Sequence, residues 1–385
     1  ALRTNLLRLI RSEDLDLAGA AAPLDDPADE ALALAREKAR QFHEKWVVGY
    51  GHASVAEHAV AHVAVEDVSI LVSKAIEDHR LASYTEKSTR YVVFERGRFY
   101  RPGEDELPDP ALRTCYLAVV DDLFSTYESL VPELIERIEA RADRAAYRTE
   151  AGFRAACRAQ ACDLLRYLLP AATHTNLGIT ANARTLERMI SKLRSHPLAE
   201  ARAVGAAIQR EAQQIIPTLI RYADRNPYLE ETYGALADLA RELLPAAAES
   251  PESAAPCVRL VRYPEDAEAH LAAAILYSFT HLPWEVLRER VAAMPRDRIE
   301  RIVREALDRR GPHDPPLRCF EHLTYTYEIF IDYGAYRDIQ RHRMCTQTDQ
   351  LLTTRHGYLL PPGLADYGLV EPVAAALEQI GRAHV

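Results

Sequence analysis

Glycine is scarce, 15 residues in 385, and tryptophan scarcer still at 2. So little glycine excludes a collagen-like or low-complexity chain. The six cysteines, Cys115, Cys157, Cys162, Cys257, Cys319 and Cys345, contain no C-x-x-C pair. That removes zinc-ribbon and thioredoxin-like sites and reads the thiols as reduced core residues. No apolar run approaches the roughly 18 residues of a membrane span. The arginines among the first leucines (Arg3, Arg8, Arg11) lead into no signal-peptide cleavage pattern. The expectation is a cytoplasmic protein without a membrane partner. A basic excess is also missing, since 47 Lys and Arg face 57 Asp and Glu for a net charge of −10. A chain that coats nucleic acid by counterion release is therefore not expected, and any anionic ligand must be held by a local cluster of arginines.

What is present is a large apolar fraction, 48%, beside 27% charged residues. The length exceeds one ordinary core and predicts two domains. Apolar residues at helical spacing predict helices over 29–46, closed by Gly49 and Gly51, and over 68–76, 110–145, 151–168, 184–194 and 199–223. His58 to Val65 tolerates a strand. Residues 226–256, rich in Pro, Ala, Ser and Glu, read as a linker between a first domain, 1–225, and a second, 257–385. Beyond it, 258–262 reads as a strand and 267–277 and 284–293 as helices. The β-branched and aromatic run 323–331 is the strongest strand signal, and Asp332 is placed to cap a helix running toward Arg341. A fresh helical pattern lies close to the last residue, and the chain starts without methionine, which suggests trimming at both ends.

An internal repeat is visible. Glu57-His58 is followed by a strand-like run, a helix-like run and His79-Arg80, and Glu321-His322 by the same succession and His342-Arg343. A repeat this long is a domain duplication. Its basic ends carry chemistry: Arg341-His342-Arg343, with Arg337 one turn earlier, offers planar, permanently charged donors to a phosphate or an electron-rich heterocycle. The plain alternative is basic complementation of a helix C-terminus. In the first copy Glu86, Ser88 and Arg90 lie on an extended run that could hold a phosphate and a ribose hydroxyl, or could be a polar surface loop.

Gly51-His52-Ala53-Ser54-Val55-Ala56-Glu57-His58, followed by the run Asp78 to Tyr91, resembles the flavin-dependent thymidylate synthases, with their G-H-x-S/T-x-x-E-H and R-H-R-x-x-S-x-N-E-x-S-x-R-Y signatures. Leu168-Leu169-Pro170 and Asn182-Ala183-Arg184-Thr185-Leu186 are similar to the family's L-P and N-A-R-S-L elements, and Gln340-Arg341-His342-Arg343 repeats its R-H-R. The resemblance implies an α+β fold, here two tandem copies, helix-rich with small antiparallel sheets, the second copy partial. It implies FAD contacts by Ser54, Glu57, His79, Arg80, Asn182 and Arg184, with Glu321, Arg341, His342 and Arg343 from the second copy. It places dUMP on Glu86, Ser88, Thr89, Arg90 and Arg166, with Arg194 facing the uracil as the catalytic cation. The implied activity is reductive methylation of dUMP to dTMP, with methylenetetrahydrofolate as carbon donor and NADPH as reductant. The family's homotetramers imply a homodimer of two-domain chains.

Departures accompany the match. Asp78 stands for the leading arginine of the first copy and Ala75 for a glutamine, while in the second copy Thr346, Leu351 and Thr353 replace the residues equivalent to Ser83, Ser88 and Arg90. These losses are complementary, which predicts one composite site. They also leave open a non-catalytic or altered-substrate paralogue. His52, His58, His62, Asp78 and His79 permit a second rival, a metal-dependent phosphohydrolase.

Overall fold

The computed structural model describes residues 53–220, 222–244, 257–354 and 356–382, with 37, 38, 40, 41 and 45 besides. Most of the helix expected over 29–46, its glycine stop, His52 and residues 245–256 lie outside them. Contacts divide the chain into two compact units, Ala1–Ser250 with Tyr333–Val385, and Pro251–Asp332. The sequence-based boundary put all of 257–385 in one domain. Residues 333–385 instead pack with the first unit, where the helix at 333–339 is tied to earlier residues by ion pairs and the C-terminal helix joins an apolar core.

In the first unit a short 3-10 turn, Ala53–His58, leads into β1 (Val60–Ser69), α1 (Ile70–Glu77) and β2 (Ala82–Glu86). Both strands pair antiparallel with β3 (His174–Asn182), in the order β1-β3-β2. The β1–β3 register shifts between Val65 and Val68, where Asp67 takes a positive φ of 58°. A bulge gives the extra residue that conformation. There the Asn176 side chain accepts from the Asp67 N–H at 2.9 Å. Ser69 then caps α1, its hydroxyl accepting from the Val72 N–H.

Asn182 ends β3 and caps α4 (Ala183–Arg194). Leu186, Met189, Ile190 and Leu193 recur at helical spacing on α4 and are buried with the sheet residues Leu177, Ile179 and Ala181 and with α5 (Ala199–Ile215). A second core joins α2 (Pro110–Glu139) to α3 (Glu150–Leu165) and α11 (Val370–Arg382) around Phe124, Tyr127, Leu134 and Val373. The expected linker is corrected over part of its length: Pro227–Leu243 forms α6, capped by Asn226. None of its residues is buried, and Tyr228, Tyr233, Leu236, Leu239 and Leu243 stay exposed along it.

The other unit pairs β4 (Cys257–Arg262) antiparallel with β5 (Thr326–Phe330) and packs α7 (Ala267–Tyr277), α8 (Trp284–Ala292) and α9 (Arg296–Leu307) around Ala272, Ala273, Leu287, Val291 and Ile299. The helix α9 was not expected. A 3-10 turn (Arg318–His322), β5 and α10 (Tyr333–Ile339) repeat the order of turn, β1 and α1. Cys345 is exposed, against its assignment to a core, because it lies on the turn after α10. Helix-rich and carrying two small antiparallel sheets, the described protein is α+β. Among the described residues no helix is long and apolar enough to cross a membrane.

Candidate functional site

The helix α1 ends at Glu77, and the chain turns through Asp78, His79 and Arg80 into β2, whose last residue is Glu86. The Glu86 side chain is only 2% exposed, so its charge needs partners. It accepts from Ser73 Oγ at 2.9 Å and from Arg337 on α10 at 2.7 Å, while Arg341 stands 3.9 Å away. Arg90 reaches Asp163 at 3.1 Å and Asp338, again on α10, at 4.0 Å. Arg166 shares Asp163 at 3.3 Å. Glu86, Arg90, Arg166 and Arg341 are thus linked through Asp163 and α10. The Nε groups of Arg90 and Arg166 and the Oδ1 of Asp163 are buried at ion-pair distance without a hydrogen bond. Two guanidiniums held around one half-exposed carboxylate suit an anion that can accept their remaining donors.

Around this cluster the turn residues have other tasks. Ser88 Oγ accepts from the Arg90 N–H at 3.1 Å, and Thr89 is buried. His79 is buried, with Nδ1 3.0 Å from the Ile76 carbonyl and Nε2 without a partner. Burial is the main cause that pushes the imidazole down to about 4, helped by Lys192 and Arg188 and opposed by the Ile76 carbonyl. Arg80 donates to Thr346 Oγ1 at 3.3 Å and to the Cys345 carbonyl at 3.4 Å. Arg343 donates to the carbonyls of His79 and Ala82 at 3.1 and 2.5 Å and stacks on Tyr84. Arg341 and His342 are exposed. The buried Glu77 accepts from Gln340 at 3.2 Å. Burial, then the nearby Glu86, raise its carboxyl to about 7, against the pull of Arg341 and Arg337.

The remaining predicted residues lie elsewhere. Glu57 and Arg184 form an exposed pair at 2.5 Å, Ser54 is exposed on the preceding turn, and Asn182 accepts from the Thr185 N–H at 2.9 Å as a helix cap. Arg194 donates to Gln209 at 2.5 Å and to Asp224 at 2.8 Å, contacts that tie α4 to α5 and to the chain beyond it. Glu321 lies in the other unit, paired with Arg318 at 3.2 Å. Sequence reasoning missed Asp163 and Asp338. Only the three-residue spacing of Asp163 from Arg166 could have pointed to the former. Among the described residues no three His, Cys, Asp or Glu groups come together as a metal site, and His62 is spent on Thr180 at 2.8 Å.

Comparison with known proteins supplies a family. A UPF0159 protein of Chlamydia pneumoniae is 34% identical over 92% of this chain and 69% of its own length, and one of Chlamydia muridarum is 31% identical over 98% and 73%. A flavin-dependent thymidylate synthase of Clostridium tetani is 26% identical over 50% of this chain and 74% of its own. A solved flavin-dependent thymidylate synthase of Helicobacter pylori, complexed with FAD and dUMP, aligns with 58% of this chain and 92% of its own at 16% identity and a TM-score of 0.35. The family model described as thymidylate synthase complementing protein matches residues 8–218, more than half of the sequence. This chain belongs to that family, the family of the flavin-dependent thymidylate synthases.

Proposed function

We propose that the protein binds FAD and dUMP and methylates dUMP reductively to dTMP, with methylenetetrahydrofolate as carbon donor and NADPH as reductant. Family membership supports the reaction class, and the observation that carries the reading to this chain is the meeting of Arg341 with Glu86 beside Arg90, Asp163 and Arg166. Arg90 and Arg166 take the nucleotide phosphate, exchanging part of their hold on Asp163 for its oxygens. Glu86, fixed by Arg337 and Ser73, orients what lies against β2. Arg341 polarises the pyrimidine from the opposite side. Arg194 is committed to Asp224 and Gln209, so Arg341 is the cation better disposed for that task.

The residues present also suit a flavin. The buried, partnerless His79 Nε2 awaits a hydrogen-bonding group that the described chain does not supply, and Arg184 with Glu57 offers an exposed charged pair. Ser54, Glu57, His79, Arg80, Asn182 and Arg184, with Arg341, His342 and Arg343, are the candidate FAD contacts. When bound, FAD supplies the hydride, which removes the need for a cysteine nucleophile. The test is to purify the full chain, supply FAD, record its visible spectrum and follow release of the C5 hydrogen of dUMP. Flavin uptake with hydrogen release is expected. A protein that takes up FAD and dUMP without releasing the hydrogen is a binding paralogue, and one that takes up neither overturns the reading.

A further inference from the structure

Several contacts between residues 70–90 and 333–353 share one register. Gln340 meets Glu77, the residue 263 positions before it. With that same offset, Lys74 corresponds to Arg337 and Glu86 to Asp349. Lys74 pairs with Asp349 at 3.1 Å just as Arg337 pairs with Glu86 at 2.7 Å. Arg80 likewise corresponds to Arg343 and Ala82 to Cys345. Arg343 donates to the Ala82 carbonyl at 2.5 Å and Arg80 to the Cys345 carbonyl at 3.4 Å. In these pairs a contact from i to j is answered by one from the counterpart of j to the counterpart of i, the mark of an isologous twofold interface, here within one chain.

A twofold arrangement creates two equivalent positions for a ligand, and the offset says what occupies each. On one side Arg337 and Arg341 stand at Glu86, and Arg90 reaches Asp163 and Asp338. The residues at their counterpart positions are Lys74, which pairs with Asp349, Asp78, which also pairs with Lys74, and Thr353. Of the three arginines only Arg337 has a cation, Lys74, at its counterpart position, so two guanidiniums are lost on the second side. On that second side Lys74 is shared by Asp78 at 3.4 Å and Asp349 at 3.1 Å, and Lys192 also reaches Asp78 at 4.0 Å. Both ammoniums are engaged by carboxylates, neither Asp78 nor Thr353 offers the guanidinium donors that grip a phosphate, and Leu351 stands where Ser88 offers a hydroxyl.

We infer that the chain holds one nucleotide phosphate, at Arg90–Glu86–Arg341, and that the symmetry-related position at Thr353–Asp349–Asp78, where threonine and aspartate replace two arginines, holds none. The inference rests on the nucleotide reading above and adds stoichiometry and location to it.

The test is calorimetric titration of dUMP into the full chain with FAD present, for the wild type and for two pairs of related variants. The expected count is one dUMP per chain. Arg341→Ala and Arg90→Ala each weaken binding about tenfold or more, the usual effect of losing a charge-assisted contact to phosphate or base. Asp78→Ala and Thr353→Ala, at the counterpart positions, stay within about twofold of the wild type, a shift of a few tenths of a kcal/mol. Circular dichroism and a melting curve establish that each variant is folded. Two dUMP per chain, or equal losses in the two pairs, overturn the inference while leaving the nucleotide reading intact. No binding by the wild type overturns both.

Discussion

Arg337 and Glu86 form an ion pair at 2.7 Å with side chains only 10% and 2% exposed, and they come from segments separated by 251 residues. Burial removes the water that would otherwise stabilise either charge alone. Glu86→Ala or Arg337→Ala should each lower stability by about 3 to 5 kcal/mol, because each strands its partner. The double replacement should cost clearly less than the two losses added. Urea denaturation of the four proteins measures this, and simple additivity would deny the coupling.

Glu77 makes stability fall with rising pH. Its carboxyl is ordinary near 4.5 when unfolded and about 7 when folded. The contribution is therefore absent below about 4.5, grows as pH rises through the window between the two values, and is complete above 7, with the folded state disfavoured. Glu77→Gln keeps a neutral group opposite Gln340. It should raise the stability at pH 8 by on the order of 1 to 3 kcal/mol while changing little at pH 4.5. Melting temperatures at both pH values decide the matter.

His79 acts in the opposite direction. Its imidazole titrates near 6.5 unfolded and about 4 folded. As pH falls from 6.5 toward 4 the unfolded chain takes up a proton that the folded one refuses, so stability is lost on acidification. A neutral His79→Gln variant should flatten the acid limb of the stability profile, and an unchanged limb would contradict the burial assigned to this ring.

Gly205 on α5 lies so close to α4 that an added Cβ would stand 2.8 Å from Leu193 Cβ and 3.0 Å from the Arg194 nitrogen. Neither of those atoms is the flexible end of a side chain. Gly205→Ala should cost about 1 to 3 kcal/mol by forcing the helices apart. A variant as stable as the parent would show that the contact yields.

Much of this architecture was legible in the sequence, and what escaped did so for physical reasons. The strongest strand signal, at 323–331, coincides with β5, and four of the five helices expected between 68 and 223 overlap observed ones closely, the last ending early at Ile215. The central strand β3 was missed although Thr175, Leu177, Ile179 and Ala181 alternate inward. Its Asn176, Gly178, Ala181 and Asn182 have poor strand propensity, and only tertiary pairing with β1 and β2 overrides it. At the site, residue types in motif spacing pointed to Glu86, Arg90, Arg166 and Arg341. Spacing could say nothing of the chain reversal that seats α10 against β2, so Asp338 and the place of Arg337 became visible only in three dimensions.

The pairing of Glu77 with Gln340 has a consequence for inheritance. In a true homodimer a residue on the twofold axis meets its own copy, and one codon change alters both sides at once. Glutamate would then face glutamate, which is unfavourable, and any remedy would have to suit both roles. Fusing the halves into one gene frees each side to mutate alone. A carboxylate can meet an amide across the axis, an arginine can be kept on one flank and exchanged for an aspartate on the other, and selection can act on one flank without disturbing its twin.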